Sequence, residues 1–593
     1  MDKNKTKNKS INDIIPAIAF SALLFVVSVV FFDLYYDLND DSAIRNILSG
    51  AFTGEPEAMT VYVNFVLSFL ISGFYRIIPS VSWFGAFELI CLYSSFALAI
   101  FYFNRKIDRL YAKVIASFGM ILFIASLLLY QTVYIQYTSV SGIIAGIGAL
   151  IFYLSDDEKN TGKFIVETIP AVLYEVIAFM LRDKMFLLLL PLIGTLYILK
   201  WITGSKAESG NDKITKLLFK KETLIKYFVP LFVVIIACGI CLVTDKAVYS
   251  SEGWKEYSDF NEVRTLLFDY QCSTPSYSEC PDIYDKYGIQ EKEASLLAYN
   301  MYNFGLSDKT DTELLTEITD YNSNVLGIGQ KDIHYITDIL KDYVRMIFKN
   351  NICEYSYIIL ALYVLFTVAI VFLKKYKYLF FEAAMIFARS LSFIYLLYGG
   401  RIKDRVLVPL CFAEILLIAS VMIKISVESK KKTAIIVFST ALLLICVSHL
   451  PVTLKKTVTE MKSRDEVNIT WNNLLSYMNE NNDSYYVLNT MSTVDYSEKI
   501  HLNSGENVNN FEIDGGWLVK TPVYNEKLLY FGIDNITDAL ANNDKVKYVI
   551  KDTKETGWLT EYLEEKGYDV TLTEEDSDDE RTKGFRILNF QTN

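Results

Sequence analysis

Apolar runs close to twenty residues long recur along the whole chain, separated by short charged stretches and by two long polar segments. They cover residues 14–32, 83–103, 114–130, 140–154, 164–181, 185–202, 227–244, 355–373, 378–398, 406–423 and 433–450. Each approaches the roughly 20 residues of helix that a bilayer core requires, so the pattern predicts a polytopic α-helical membrane protein of about eleven spans. Residues 59–78 form a further apolar stretch whose role hydropathy alone leaves open.

Charge between the runs resolves it, because short cytoplasmic loops are enriched in Lys and Arg. If 59–78 spans, Arg105, Lys106 and Arg109 fall outside and every later loop inverts. If it lies along the outer surface, the basic stretches 105–113, 200–226, 374–377 and 424–432 all fall inside. The expectation is an interfacial helix pair over 59–78, broken near Gly73 and ended by Pro79, with the N-terminus in the cytoplasm and the C-terminus outside. The lysine-rich stretch 1–10 enters the first run without a small-residue cleavage site, as an uncleaved signal anchor does.

Two outer loops then break the rule. Arg182-Asp183-Lys184 and Gly399-Gly400-Arg401-Ile402-Lys403-Asp404-Arg405 place cations outside. Either they pair locally with Asp183, Asp404 or lipid headgroups, or they bind a phosphate at the outer leaflet, for which Arg forks and Lys point charges are suited.

The chain is 52% hydrophobic yet carries a net charge of −12, most of it in 246–350 and in the tail from 451. That excludes a nucleic-acid partner, whose phosphates call for a basic surface. Segment 246–350 reads as mostly helical, with amphipathic stretches over 254–270 and 307–321; it is long for a connector and is expected to cover the outer mouth of the bundle. The tail alternates strand-like stretches at 484–489, 546–551, 568–572 and 585–590 with a helix over 556–566, the pattern of a small α/β domain. It holds neither GxGxxG nor a Walker motif, so nothing points to a nucleotide. Gly515-Gly516-Trp517 with Trp471 reads either as core packing or as a sugar-stacking face.

Cys91, Cys238, Cys241, Cys411 and Cys446 fall in apolar runs, and Cys353 at a boundary. Cys272 and Cys280 lie close together in a polar loop, where an extracytoplasmic location permits a disulfide. No cysteine or histidine spacing fits zinc.

The densest chemistry follows the first run: Asp33-Leu34-Tyr35-Tyr36-Asp37-Leu38-Asn39-Asp40-Asp41 puts four carboxylates where a membrane helix meets water. They form either a solvated flank or a site. Neighbouring acids repel each other's ionised forms, which raises the pKa of one toward a value suited to proton transfer. His334, His449 and His501 lie elsewhere, so the candidate base is a carboxylate, Asp40 first and Asp41 next. Arg182, Lys184, Arg401, Lys403 and Arg405 are the candidates to hold a phosphate. Intramembrane Glu88, Glu175, Glu382, Arg389 and Glu414 are costly in lipid and are expected to face the bundle interior, with Glu382 and Arg389 on one helix face as a candidate ion pair.

An N-in helix, a large first outer loop opening on adjacent acids, interfacial helices and a dozen or so spans together resemble the GT-C superfamily of membrane glycosyltransferases, in the branch of protein mannosyltransferases, aminoarabinose transferases and Rgt-type transferases. Asn39-Asp40-Asp41 matches the family's acidic pair, residues 42–56 the helix and turn after it, and 62–78 the surface segment. The resemblance implies inverting transfer of a hexosyl or pentosyl unit from a polyprenyl-phosphate donor to a glycan, lipid or protein acceptor of the cell envelope. The chain departs from the family in the second outer loop, where residues 131–138 hold no carboxylate. Nothing in the sequence requires a divalent metal, and the cofactor stays open. The expected organisation is a GT-C-like transmembrane region over residues 1–245 with a catalytic loop 33–82, an outer loop domain 246–350, further spans 351–450 and an outer α/β tail 451–593. Rival readings are a transporter or flippase of lipid-linked oligosaccharide, which an inverted repeat would favour, and a non-catalytic glycan-binding scaffold of the same fold.

Overall fold

The computed structural model describes residues 3–205, 217–297, 311–329, 331–349, 353–400, 402–501, 508–575 and 579–592, with side chains from residue 11 onward except Lys432. Among these residues, ten helices are long and apolar enough to cross a membrane, with Ser356–Phe372 a shorter apolar helix beside them. This is the build of a multi-pass membrane protein. Every apolar run expected to span is helical: α1 (Lys3–Phe31), α4 (Trp83–Asn104), α5 (Leu110–Val133), α6 (Tyr137–Leu154), α7 (Thr161–Leu181), α8 (Asp183–Gly204) and α9 (Lys221–Val248). After the loop domain come α13 (Ser356–Phe372), α14 (Tyr378–Tyr398), α15 (Asp404–Glu428) and α16 (Lys432–Val447).

α6 runs through the centre, buried along its whole length. Small residues allow that: a Cβ on Gly142 would lie 2.6 Å from atoms of both Met185 and Pro409, so only glycine lets α8 and α15 approach so closely. Lower on the same helix, Phe152 stacks on Tyr197 with ring centres 3.9 Å apart.

The basic stretches meet at one end of the bundle. Asp157, between α6 and α7, binds Lys200 at 2.9 Å and lies 3.6 Å from Lys424, while Lys226 donates to its carbonyl at 2.6 Å. Arg105 and Lys159 share Glu167, and Lys113 pairs with Asp13. The first loop, the loop domain and the tail gather at the opposite end, called here the site end.

Three expectations need correction. The segment 59–78 holds a single helix, α3 (Phe65–Ile77), which passes unbroken through Gly73, where a helical backbone meets no obstacle. Both its ends stay at the site end: the Asn64 N–H donates to Met180 O and the Trp83 indole to Ile78 O, each at 2.8 Å. It therefore lies along the surface, showing Phe69, Leu70, Phe74 and Ile77 outward. Glu382 and Arg389 do not pair; Arg389 faces Glu414 of α15 at 3.6 Å, and Glu382 accepts from Thr367 at 2.6 Å. Cys272 and Cys280 are free thiols, with Sγ contacts to the carbonyls of Phe268 and Ser276, so the disulfide that their spacing admits is not formed.

The loop domain contains α10 (Glu252–Arg264), whose end passes into a π turn through Gln271, two short helices and α11 (Asp311–Asn324), packed on Phe260, Leu267, Tyr284 and Leu314. Residues 307–310 of the expected second helix lie outside the described residues. α12 (Ile333–Phe348) leads back to the bundle.

After α16 the chain bends at Ser448–His449 and continues as α17 (Leu450–Glu480), with Pro451 in its first turn. α17 delivers the tail, a five-stranded sheet of order β4-β3-β5-β7-β6. β3 (Tyr485–Asn489), β4 (Phe511–Asp514) and β5 (Val546–Lys551) are parallel, while β6 (Val570–Glu574) and β7 (Phe585–Thr592) complete it antiparallel. Trp471 belongs to the tail's core, stacked on Tyr496 at 5.0 Å, and offers no sugar-stacking face.

Tail and bundle are joined through Arg464 of α17. Its Nη1 donates to Tyr36 O at 2.8 Å, and its Nη2 donates to Asp37 Oδ1 at 2.9 Å. Beside it, the Tyr36 N–H donates to Glu498 O and the Ile500 N–H to Leu34 O, both at 3.0 Å, while Arg45 pairs with Glu498. Replacing Arg464→Met strands the largely buried Asp37 carboxylate, which costs about 3–5 kcal/mol. Thermal unfolding of the purified protein is expected to shift downward accordingly, and Asp37→Asn in the same chain is expected to restore some of the loss.

Candidate functional site

The first loop is held open by its neighbours. β1 (Tyr35–Tyr36) pairs in parallel with β2 (Tyr134–Ile135), and the Asp37 N–H donates to Ile135 O at 2.8 Å. Asp37 also accepts from Tyr130 Oη at 2.9 Å, and Asp33 pairs with Lys499 at 3.0 Å, so these two acids fasten the loop. Burial, partly offset by Arg464, raises the Asp37 pKa above the usual carboxylate value.

The chain then turns into α2 (Asn39–Ser49), with Asp40 and Asp41 in its first turn, where the helix dipole favours negative charge. Asp41 is fully buried. Its Oδ1 accepts the Tyr137 N–H at 2.9 Å, capping α6, and its Oδ2 has no hydrogen-bond partner among the described residues. Burial, with Asp40 and Asp37 adding to it, raises its pKa well above the ordinary value; the Tyr137 N–H and Arg405 oppose that rise. Behind it on α4 sits Glu88, also fully buried, within electrostatic reach of Asp41 and with neither oxygen hydrogen-bonded among the described residues.

Asp40 faces the other way and is half-buried. Its Oδ1 accepts the Trp517 indole N–H at 2.9 Å. Gly515 (φ +107°) and Gly516 (φ +83°) form the turn that projects Trp517 out of the tail, and only glycine adopts such angles readily. The Tyr257 hydroxyl of the loop domain donates to Trp517 O at 2.7 Å, and the indole packs on Tyr62 with centroids 4.9 Å apart. Tail, loop domain and first loop thus converge on one acid.

Of the expected cations, Arg182 ends α7 with its guanidinium 5.0 Å from the Tyr62 ring centre and 5.7 Å from that of Tyr137. Arg405, in the first turn of α15, lies within electrostatic reach of Asp41. Lys184 and Lys403 are exposed at the same end, and Arg401 lies outside the described residues. Among the described residues, the alternative of local pairing with Asp183 or Asp404 does not form. Asp183 accepts the backbone N–H of Lys184 at 2.7 Å, and Asp404 pairs with Lys456 at 2.6 Å. Among the described residues, Arg182, Lys184, Lys403 and Arg405 have no carboxylate at ion-pair distance.

No cluster of three or more His, Cys, Asp or Glu that could hold a metal ion occurs among the described residues. His449 is buried in the bundle against Tyr357, and His334 and His501 are exposed. Sequence reasoning missed Glu88 as the neighbour of Asp41, Tyr62 and Tyr137 as the walls around Arg182, and Arg464 as the clamp on Asp37. The Gly515-Gly516-Trp517 signal was visible, though its target was not. No family model, curated protein or solved structure matches the chain.

Because the Asp41 pKa is raised on folding above its unfolded value of about 3.9, the folded state favours the protonated acid. The stability this contributes is complete below that pH and is lost as pH rises through the folded pKa. Asp41→Asn keeps the acceptor for the Tyr137 N–H and removes the ionisation cost. The variant is expected to melt close to wild type near about pH 4 and progressively above it toward about pH 8, which a series of thermal melts reads directly.

Proposed function

We propose that this protein is a membrane glycosyltransferase of GT-C type, moving a sugar from a polyprenyl-phosphate donor to a hydroxyl acceptor of the cell envelope. In this reading the site end faces outward, with the N-terminus cytoplasmic and the tail extracytoplasmic. The observation that carries it is the gathering of an acid pair, Asp40 and Asp41, with Arg182 and Arg405, which have no carboxylate partner among the described residues. Cations left without counter-ions beside a membrane surface suit an anionic headgroup. The positive-inside rule supports the same orientation, since the basic loops share the opposite end.

The chemistry divides among these residues. The acceptor oxygen attacks the anomeric carbon as the bond from that carbon to the phosphate oxygen breaks, and the anomeric centre inverts. The acceptor proton passes to Asp40, the more accessible acid. The departing polyprenyl phosphate keeps the bonding electron pair, and the guanidinium groups of Arg182 and Arg405 stabilise its charge. Lys184 and Lys403 add to the field at the membrane surface. Asp41, buried and biased toward its neutral form, anchors the first turn of α2 against α6. Trp517 fixes the Asp40 carboxylate through one hydrogen bond and positions it.

Removing the base is expected to cost about 10²–10⁴ in kcat, so Asp40→Asn should abolish most transfer from a glycosyl polyprenyl phosphate by the reconstituted protein while leaving its melting temperature near wild type. Undiminished transfer by Asp40→Asn would sink the mechanism. Trp517→Phe, which keeps a ring and loses the N–H, is expected to lower kcat by roughly tenfold with little change in KM. Arg405→Ala is expected to lower kcat and weaken donor binding together.

A further inference from the structure

α12 (Ile333–Phe348) carries an apolar surface that the described residues leave exposed. Around its axis, Ile339, Tyr343 and Met346 are buried against the bundle. A second arc holds Asp338, Lys341, Asp342 and Arg345, neutralised as two i,i+3 pairs of 2.7 Å each. The third arc is Ile333, Ile336, Leu340, Val344 and Phe348, each between 43% and 70% exposed. Left in water, such a stripe gives up the gain from burying apolar area, about 25 cal/mol per Å².

Its depth is set by contacts to helices that cross the membrane. Tyr335 Oη donates to Tyr398 O at 2.9 Å, and Tyr343 Oη bonds Ser390 Oγ at 2.7 Å. Eight residues separate the members on each helix, so α12 runs antiparallel beside α14 over roughly 12 Å. Cys353 and Tyr355, which follow it, also reach deep contacts. Tyr355 Oη donates at 2.8 Å to Leu127 O, six residues before the end of α5, and Cys353 Sγ lies 3.6 Å from Cys411 Sγ, seven residues into α15. At the rise of a helix, those offsets put the Tyr355 hydroxyl and the Cys353 thiol roughly 9–10.5 Å below the site-end surface.

The stripe continues the outward face of α14, where Phe387, Leu391 and Tyr395 are exposed. At its upper edge Lys331 Nζ sits 3.9 Å from the Tyr398 ring centre, next to Tyr335, the Lys and Tyr signature of a membrane–water interface. We infer that α12 is a half-span seated in the membrane leaflet at the site end, with its Ile333–Phe348 stripe covered by lipid acyl chains. The continuity with α14 and the aromatic edge above select lipid as the occupant over a partner helix or a second copy of the chain. The loop domain is thereby moored in the leaflet beside the site, and this holds whatever reaction the site performs.

The test uses the full-length protein in phosphatidylcholine vesicles whose acyl chains carry a nitroxide quencher. Cys272→Ser removes the exposed thiol, and a bimane label is placed at Leu340→Cys, Val344→Cys or, on the polar arc, Lys341→Cys. Labels at 340 and 344 are expected to lose at least about half their emission to the acyl-chain nitroxide and to resist iodide, with the reverse at 341. Ile336→Cys, one turn shallower, serves where a deeper label prevents folding. Iodide quenching at 340 and 344 equal to that at 341 would overturn the half-span. Shielding of both positions from nitroxide and iodide alike would overturn the lipid occupant and assign the stripe to protein.

Discussion

A single guanidinium sets the geometry of the site end. Arg464 reaches from α17 into the first loop and donates to the Tyr36 and Asp37 carbonyls, the Asp37 carboxylate and Ser497 Oγ, while Glu460 holds its Nε from the same helix. A charge removed from water is tolerable only when its donors are satisfied together, which makes the arrangement all-or-none. With Arg464 in place β1 has one position, α2 starts at one angle, and each of the two acids has its own fixed direction. Because α17 is unbroken from the bundle to β3, the same residue also sets where the tail stands, and so where Trp517 meets Asp40.

Around that clamp the protein carries uncompensated polar groups. Among the described residues, Asp41 Oδ2 and both Glu88 oxygens are buried without hydrogen-bond partners, while nearby Arg182 and Arg405 have no carboxylate at ion-pair distance. Stability alone would neutralise or replace such groups.

The bundle was legible because hydrophobic length is a strong local signal and loop charge gives its phase; charge alone placed 59–78 along the surface, and α3 lies there. Gly73 misled, since a glycine weakens a helix without ending it where nothing presses on it. Glu382 and Arg389 misled differently: a shared face on one helix says nothing of Glu414 on the next. The half-depth of α12 was invisible, because its two ion pairs dilute the apolar signal that hydropathy averages. β4 is only four residues long, and its parallel partner is separated from it by more than twenty residues. In the site, the acids and the cations could be named from residue type and topology. Their partners could not, since Trp517, Tyr62, Tyr137 and Arg464 arrive from segments far apart in the chain.

Asp40 and Asp41 are neighbours in sequence and strangers in space. Successive side chains of an α-helix leave the axis about 100° apart, so one turn sends the first acid toward water and Trp517 and the second into the bundle against Tyr137 and Glu88. Any molecule that binds above α2 meets one ionisable oxygen pair and is screened from the other. The paired motif therefore supplies two unlike groups, and exchanging their side chains in place would alter neither role, because the position and not the residue decides which acid keeps its proton.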